Sequence, residues 1–354
     1  MTDQRTYKRA ILLTIMSLGL FYMPEVSPRD FWYSSFLALG IPAGIVLIAI
    51  VLIYWIVKKN ILFLVPLVLL LINWKYIERT VTFSGSEEQQ AELSVLSYNI
   101  RLFNVYPQYA DKTFSSSRKI IDFIKKSEAD VLCLQEFYND PKDTLFNTIH
   151  RIRKKYKYYY FSETYKNRAG ASFGMIIFSK YPIKNRGKVV FHERSNNQTI
   201  YADVLLPNKT VRIYNMHLQS MSINDKEIAE SNFDTKSKTN VLNAFTKFKK
   251  GTINRSIQVD TLVGHIKASP YKVIVCGDLN DPPYSYTYET LSDQLNNAFE
   301  EKGNGLGITF NGRLPFLRID QQFCDQDIEV IRFETQHNIT YTDHFPVKAG
   351  YVFK

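Results

Sequence analysis

The sequence of 354 residues predicts an α/β domain, with one mixed sheet or two packed sheets, that follows a hydrophobic N-terminal region. Charged residues are sparse up to residue 79 and dense after it. A strand, helix and strand pattern at residues 93–134 is followed by several consecutive strands, which a doubly wound parallel sheet does not produce. Short polar clusters follow apolar, strand-like stretches at six places.

The first 79 residues contain three apolar stretches. A transmembrane helix needs roughly 20 apolar residues, and residues 32–57 carry no charge at all. The first stretch follows Lys8 and Arg9, so a cleaved signal peptide is its competing interpretation. No small-residue cleavage site follows it, which favours an uncleaved span. We therefore predict a membrane anchor over residues 1–79 with about three transmembrane helices, at residues 10–24, 33–57 and 61–77.

The topology of this anchor follows from the turn between its second and third stretches. Lys58 and Lys59 lie in that turn, and positive residues in short loops stay on the cytoplasmic side. We expect the chain after Arg79 to lie outside the cytoplasm, although Lys75 and Arg79 themselves lie on the disfavoured side. Residues 80–92 are predicted to form a short polar linker to a domain over residues 93–354.

The domain is predicted from alternating apolar and turn-forming stretches. Strands are expected at residues 93–100, 130–134, 157–162, 174–179, 188–192, 200–206, 211–217, 272–276, 317–323, 328–334 and 347–353. Helices are expected at residues 116–126, 143–154, 241–248 and 256–266. No change in composition divides these roughly 260 residues, so we expect one domain with a substantial core.

Charge and cysteine content narrow the classes of partner and site. The formal net charge is +10, and 36 Lys and Arg against 30 Asp and Glu follow residue 79. This surplus favours anionic partners such as phosphate esters, nucleic acid or acidic lipid headgroups, although solubility also explains it. The three cysteines form no C-x-x-C pair, which argues against a disulfide framework and a cysteine metal site. No protein partner is identifiable from the sequence.

The six polar clusters form the candidate functional site. A buried strand that ends in Asp, Asn, Glu or His delivers that side chain to the edge of a sheet. Hard divalent cations take oxygen ligands, so the set indicates metal-assisted hydrolysis, although Asp and Asn also end strands as turn residues. The clusters are Ser97-Tyr98-Asn99, Gln135-Glu136, Asn215-Met216-His217, Gly277-Asp278-Leu279-Asn280, Arg318-Ile319-Asp320 and Thr342-Asp343-His344.

In their order and separations, these clusters resemble the endonuclease/exonuclease/phosphatase superfamily over about residues 93–354. The sequences CGDLND at 276–281 and TDHFPV at 342–347 are the most specific parts. The resemblance implies a four-layer α/β sandwich, with two packed mixed sheets flanked by helices. It also implies phosphoester hydrolysis with Mg²⁺ or Mn²⁺. The layout further resembles a membrane-anchored bacterial branch, which implies the inner membrane and a periplasmic catalytic domain.

The resemblance implies a role for each of eight residues. Glu136, Asp343 and Asn99 correspond to metal ligands. His344 corresponds to the imidazole that contacts the phosphate and works with the attacking water, and Asp320 to the carboxylate that orients it. The alternatives without a catalytic role are an ordinary surface carboxylate for Glu136 and a structural ion-pair partner of Arg318 for Asp320.

The remaining three residues correspond to groups around the phosphate. Asp278 would orient or deprotonate the water, and Asn280 would donate to a phosphate oxygen. They are two residues apart, so extended backbone points both to the same side. His217 would contact phosphate or protonate the leaving group, unless it is only structural, and Asn215 is a secondary candidate to support it.

The sequence departs from the family pattern after Asp320, where Gln321-Gln322-Phe323 stands in place of Tyr-Ile. The carboxylate partner of His217 is not evident, and Glu163 is a guess. Arg255 and Gln258 could reach the substrate, but the sequence favours a helix-surface role for both. We predict a membrane-anchored phosphodiesterase of nuclease type. The alternatives are a phospholipid or phosphoinositide headgroup phosphoesterase and an inactive membrane-anchored binding module.

Overall fold

The structure is a computed structural model that describes residues 4–354 except 86, 88, 107, 110–111, 192–196, 222–234 and 313–315. The end of the predicted strand at 188–192 and two residues of the predicted linker lie outside the described residues.

The N-terminal region is helical. Helices α1, α3 and α4 pack against one another, and 3₁₀ turns lie at Met23–Glu25 and Ile61–Phe63. Its helices are α1 (Gln4–Tyr22), α2 (Tyr33–Ala38), α3 (Ile41–Val57), α4 (Leu64–Ile72) and α5 (Trp74–Thr80).

Two of the three predicted spans are broken. The break after α2 precedes Pro42, which lies in the first turn of α3 and has no N–H to continue a helix. The second break lies at Asn73, whose side-chain amide donates to the carbonyl of Leu69. The prediction of continuous helices over 33–57 and 61–77 is therefore wrong.

By length and composition, no single helix within the described residues is long and apolar enough to cross a bilayer. The stretches Ile61–Ile72 and Trp74–Thr80 meet that test as a pair, but they are bent by 64° where they join. Helix α3 is apolar but shorter, at 17 residues.

Two six-stranded sheets follow. The first sheet has the order β13-β14-β2-β3-β5-β4, and the second has the order β10-β12-β9-β8-β7-β6. The pairs β2/β3 and β8/β9 are parallel and the other pairs are antiparallel, so both sheets are mixed. The strands of the first sheet are β2 (Leu93–Asn99), β3 (Val131–Asn139), β4 (Tyr158–Lys166), β5 (Ser172–Ser179), β13 (Ile328–Thr335) and β14 (Val347–Phe353). Those of the second are β6 (Ile183–Val189), β7 (Thr199–Leu205), β8 (Thr210–His217), β9 (Lys272–Asp278), β10 (Asn296–Asn297) and β12 (Asp320–Cys324).

Helices cover the outer faces of both sheets. Apolar residues between the sheets form one core, and separate cores lie under the helices on either side. The first sheet is covered by α6 (Ser115–Lys126) and α7 (Thr148–Ile152), and the second by α8 (Thr235–Lys267) and α9 (Tyr286–Ser292). Helix α10 (Ala298–Lys302) follows β10. This arrangement of two mixed sheets flanked by helices confirms the predicted α/β sandwich.

Three of the four predicted helices differ from the structure. The helix expected at 143–154 is shorter in the structure, where only α7 is helical. The carboxylate of Asp143 accepts hydrogen bonds from the backbone N–H groups of Leu145 and Phe146, and these bonds form a turn in place of the first part of the helix. The helices expected at 241–248 and 256–266 are parts of the single helix α8.

The described part of the predicted linker runs along the domain surface. Strand β1 (Thr82–Phe83) pairs with β11 (Asn304–Gly305). Farther on, the backbone N–H of Glu87 donates to Ile331, and that of Glu92 donates to Tyr351.

Candidate functional site

The two parallel strand pairs bring the predicted residues to one edge of the sandwich. Asn99 ends β2 and His217 and Asp278 end β8 and β9. Asp320 begins β12 directly opposite Asp278 in the antiparallel pair β12/β9. The amide of Asn99 donates to Asp278 Oδ2 at 3.2 Å, so the edges of the two sheets meet at this point.

A buried histidine lies between two buried carboxylates. His344 Nδ1 is 2.8 Å from Asp320 Oδ2, and His344 Nε2 is 3.8 Å from Asp278 Oδ2. Burial opposes protonation of His344, but the charges of Asp320 and Asp278 outweigh it and raise its pKa to about 10. Burial raises the pKa of Asp320, against the attraction of His344. The predicted orientation of His344 by Asp320 agrees with this geometry.

A second histidine lies near the same oxygen of Asp278. His217 Nε2 is 3.7 Å from Asp278 Oδ2 and 3.9 Å from Glu136 Oε1. Both distances exceed a hydrogen bond, so neither carboxylate binds His217 Nε2 directly. Glu163 instead accepts a hydrogen bond from Ser172, and the carboxylates near His217 Nε2 are Asp278 and Glu136.

The backbone around the carboxylates is strained. Glu136 has φ 49° and lies where the register of β3 against β5 shifts, which marks a bulge. Asn280 has φ 54°. Gly277 has φ +139°, and a Cβ there would lie 1.9 Å from the carbonyl oxygen of Met216. Such conformations persist where surrounding structure enforces them, and they cluster at functional sites.

Two predicted residues have partners within the protein. Asp343 Oδ2 lies 3.2 Å from Arg101 Nε, on a turn whose residues Arg101–Asn104 all have positive φ. The side-chain amide of Asn280 donates to the carbonyl of Leu218 at 3.0 Å, and its backbone N–H donates to Asp278 Oδ1. Asn280 thereby holds the segment after His217 against Asp278.

Buried amides join the two sheets beneath the site. Gln135 donates to Asn215 Oδ1 at 2.6 Å, and Asn215 donates to the carbonyls of Leu134 and Ile176 in the opposite sheet. Asn215 thus supports Gln135 and the bulge of β3, whereas the sequence assigned it to His217. The signal was present, since Gln135 is an amide that directly follows four apolar residues of β3.

The departure after Asp320 has a similar role. Gln322 donates to the carbonyls of Val95 and Val347 in the other sheet and accepts from Tyr351. The unusual glutamine therefore ties β12 to the first sheet, two residues from Asp320.

Helix α8 contacts the segments that follow the site residues His217 and Asn280. Arg255 is fully buried and donates to the carbonyl of Gln219 and to Asp281 Oδ1 at 2.7 Å. Gln258 accepts from the backbone N–H of Gln219. The expectation of a helix-surface role for Arg255 and Gln258 is wrong, because both are buried against the segments that follow His217 and Asn280.

The donor set fits a hard divalent cation. Asp278, Asp320 and His344 each offer a ligand atom within 4.8 Å of the others. Glu136 is partly exposed and shares the amide of Asn99 with Asp278. Asn99 Oδ1 accepts a hydrogen bond from the backbone N–H of Arg101, and an amide oxygen has a second lone pair that can serve as a ligand. Carboxylate oxygens at this density are the ligands that Mg²⁺ and Mn²⁺ prefer.

Comparison with protein families gives two matches. Residues 96–344 match the Endonuclease/Exonuclease/phosphatase family, a range that contains all six polar clusters. Residues 7–80 match a family described as a domain of unknown function (DUF8431). No curated protein sequence matches the chain.

Solved structures show the same fold. An endonuclease/exonuclease/phosphatase from Beutenbergia cavernae is 17% identical with a TM-score of 0.52, covering 74% of this chain and 71% of its own. The human Nocturnin catalytic domain is 15% identical with a TM-score of 0.52 and coverages of 74% and 94%. A family protein from Leptotrichia buccalis is 14% identical with a TM-score of 0.50 and coverages of 74% and 100%.

Proposed function

The chain belongs to the endonuclease/exonuclease/phosphatase family, and on that premise we propose that it is a divalent-metal-dependent phosphoesterase that hydrolyses phosphodiester bonds. Members of this family are hydrolases of phosphate esters. The observation that carries the proposal is the buried His344, held by Asp320 at 2.8 Å and flanked by Asp278.

The residues of the site divide the work of hydrolysis. With Nδ1 held by Asp320, His344 keeps a fixed direction, and its raised pKa of about 10 favours the cation, which attracts a phosphate oxygen. Asp278 Oδ2 lies within 4 Å of both imidazole Nε2 atoms, where it can orient a water toward phosphorus. In this proposal His217 would protonate the leaving oxygen.

A divalent ion held by Glu136, with Asn99 and the carboxylates beside it, would neutralise the charge on the phosphoester that repels a nucleophile. Family enzymes are generally dependent on such an ion. Asp343, the predicted third ligand, contacts Arg101 Nε through Oδ2 at 3.2 Å.

Hydrolysis of bis(p-nitrophenyl) phosphate by the full chain in detergent, with Mg²⁺ or Mn²⁺, tests the proposal. We expect activity that a chelator abolishes, and a loss of at least 10³-fold in the variants Asp278→Asn and His344→Ala. The exposed residues Asp122 and His150 provide matched controls, Asp122→Asn and His150→Ala. Activity that survives the first two substitutions, or needs no metal, contradicts the proposal. Absence of metal binding would instead support an inactive binding module.

We further propose that the N-terminal helices anchor the chain in a bacterial inner membrane, with the domain in the periplasm. Apolar side chains on α1, α3 and α4 are exposed over much of their surface, among them Ile15, Ile53 and Val68. Surfaces of this kind need apolar surroundings. The helix ends remote from the domain carry Lys8, Arg9, Lys58 and Lys59, in agreement with the positive-inside rule.

Thiol labelling tests this topology, because all three native cysteines are buried. In intact cells of a Gram-negative host with a permeabilised outer membrane, an impermeant maleimide should label Asn208→Cys but not Lys59→Cys. Lysis should expose both. The reverse pattern contradicts the periplasmic assignment.

A further inference from the structure

The orientation of helix α8 relative to β8 shows which part of the helix lies beyond the strand ends that carry the site. Tyr214, within β8, contacts His265 at 2.8 Å, whereas Gln219, beyond the end of β8, contacts Gln258. Residue numbers that increase along β8 thus face residue numbers that decrease along α8, so α8 runs antiparallel to β8. The part of α8 that precedes Gln258 therefore extends past the strand ends that carry His217 and Asp278.

Helix α2 packs on this projecting part of α8. The ring of Trp32 lies 4.8 Å from that of Phe245, and the ring of Phe36 lies 6.2 Å from that of Phe248. The ammonium of Lys249 lies 5.3 Å from the centre of the Trp32 ring. At 1.5 Å per residue, Phe248 and Phe245 lie about 15–20 Å along α8 from the level of Gln258. Helix α2 is thus placed on the open side of the site.

Two further contacts of the N-terminal helices lie close in sequence to residues of the site. Tyr284, three residues after Asp281, donates to Thr80 Oγ1 at 2.8 Å. Arg318, two residues before Asp320, donates to the carbonyl of Arg79. The helices are therefore attached beside the strand ends that carry the site.

These attachments also orient the apolar helices. The C-terminal end of α1 and the N-terminal end of α3 meet near the domain, where Phe21 and Ile41 share a core with Tyr284. Their opposite ends carry the basic residues described above. A bilayer that surrounds α1, α3 and α4 would have its near surface at the level of α2, on the side toward which the site opens.

On the basis of the proposed function and anchoring, we propose that the substrate is the headgroup phosphodiester of an anionic phospholipid in the same membrane leaflet. The projecting part of α8 presents chemistry that fits such a surface. Lys249 and Lys250 are exposed there beside the exposed apolar residues Leu242 and Phe245. Exposed lysines attract anionic headgroups, and apolar side chains enter the boundary between headgroups and acyl chains.

The reaction balances without any redox partner. The oxygen of one water forms a bond to phosphorus as the bond from phosphorus to one ester oxygen breaks. One proton of that water goes to the leaving alkoxide. The products are an alcohol and a phosphomonoester.

Reconstitution of the full chain into phosphatidylcholine vesicles that contain phosphatidylglycerol, cardiolipin or phosphatidylinositol tests this inference. Each anionic lipid is compared with its deacylated, water-soluble headgroup diester, and with plasmid DNA and RNA. We expect at least one vesicle lipid to be hydrolysed ten times faster than its soluble counterpart and faster than either nucleic acid. Faster hydrolysis of DNA or RNA, or equal rates on lipid and soluble diester, would overturn the inference.

Charge reversal on α8 provides a second test. Lys249→Glu combined with Lys250→Glu should lower the ratio of vesicle to soluble rate about tenfold. Lys267→Glu, an exposed lysine at the other end of the same helix, should leave that ratio unchanged. Equal effects of the two reversals contradict the inference. If the unmodified chain does not hydrolyse bis(p-nitrophenyl) phosphate, the proposed function itself is refuted. If it hydrolyses that compound but no lipid, only the lipid substrate is refuted.

Discussion

The N-terminal helices and the sandwich place their apolar side chains in opposite ways. In α3 the buried residues are Ile41 and Ile48, whereas β9 buries every residue after Lys272. The sandwich therefore obtains its stability from its own interior. An apolar helix that faces outward depends on the medium around it. The stability of the sandwich is therefore set by its internal packing, whereas that of the N-terminal helices is set by the medium around them.

The two regions meet through charge. Arg79 at the end of α5 and Glu289 on α9 form an ion pair in which both side chains are about 5% exposed. Lys75 Nζ adds a contact to Glu289 Oε1 at 2.6 Å. The carboxylate is thus buried at the junction, where its partners come entirely from the N-terminal helices. Four predictions sharpen the contrast between interior, junction and surface.

The largest effect is expected inside the sandwich. Gly277→Ala places a Cβ 1.9 Å from the carbonyl oxygen of Met216 at a φ of +139°, so we expect a loss of about 3 kcal/mol or more in the free energy of unfolding. Gly19→Ala in α1 meets no atom within 4 Å and should stabilise by about 0.5–1 kcal/mol. Thermal unfolding of the two detergent-solubilised variants measures the contrast, and similar midpoints would contradict it.

The junction should give the next effect. Glu289→Gln leaves the buried Arg79 without its carboxylate, and breaking a buried ion pair costs about 3 kcal/mol. Arg79 and Lys75 outweigh burial and lower the pKa of Glu289. The carboxylate thus stabilises the fold above the ordinary pKa of Glu, and that contribution is lost as pH falls through the lowered value. Denaturant unfolding should show the full difference at pH 7 and a vanishing one in acid. Glu301→Gln, at an exposed glutamate, is the control.

Within the site, the effect should appear in the pH profile. Asp320→Asn removes the charge that helps to raise the pKa of His344 to about 10, so His344 should lose its proton at a lower pH. We expect the alkaline limb of kcat against pH to move to lower pH, with a loss of about 10–100-fold in kcat, or about 1.4–2.8 kcal/mol. An unmoved alkaline limb would show that His344 is not the titrating group.

The smallest effect is expected at the exposed edge of the junction. Arg29 lies 2.9 Å from Asp260, but the side chains are 49% and 30% exposed. Exposed ion pairs contribute about 0–1 kcal/mol, so Arg29→Gln should change the unfolding free energy by less than about 1 kcal/mol. A change as large as that of Glu289→Gln would mean that exposure does not distinguish the two pairs.

The sequence allowed the strand ends of the site to be predicted, because the information was local. Each apolar stretch ends in a polar residue, and parallel neighbours bring such ends together. Asp278, His217, Asp320 and His344 are within 4 Å of a predicted partner for this reason.

The contacts that cross between elements could not be predicted in this way. The bridge from Gln135 to Asn215 and the burial of Arg255 depend on which faces meet in three dimensions. Periodicity places a residue on a face but does not name its partner. The break at Asn73 was missed because a single polar residue within an apolar stretch leaves the overall hydropathy unchanged.

The contacts of Arg79 also determine when the chain can finish folding. Its side chain pairs with a residue 210 positions later, and its carbonyl accepts from one 239 positions later. A growing chain folds from its N-terminal end, so the helices exist before the groups that capture Arg79 have been synthesised. We therefore expect docking to be the final step of maturation. Protease cleavage near Arg79 should be rapid in a chain that ends at residue 285 and slow in the complete chain.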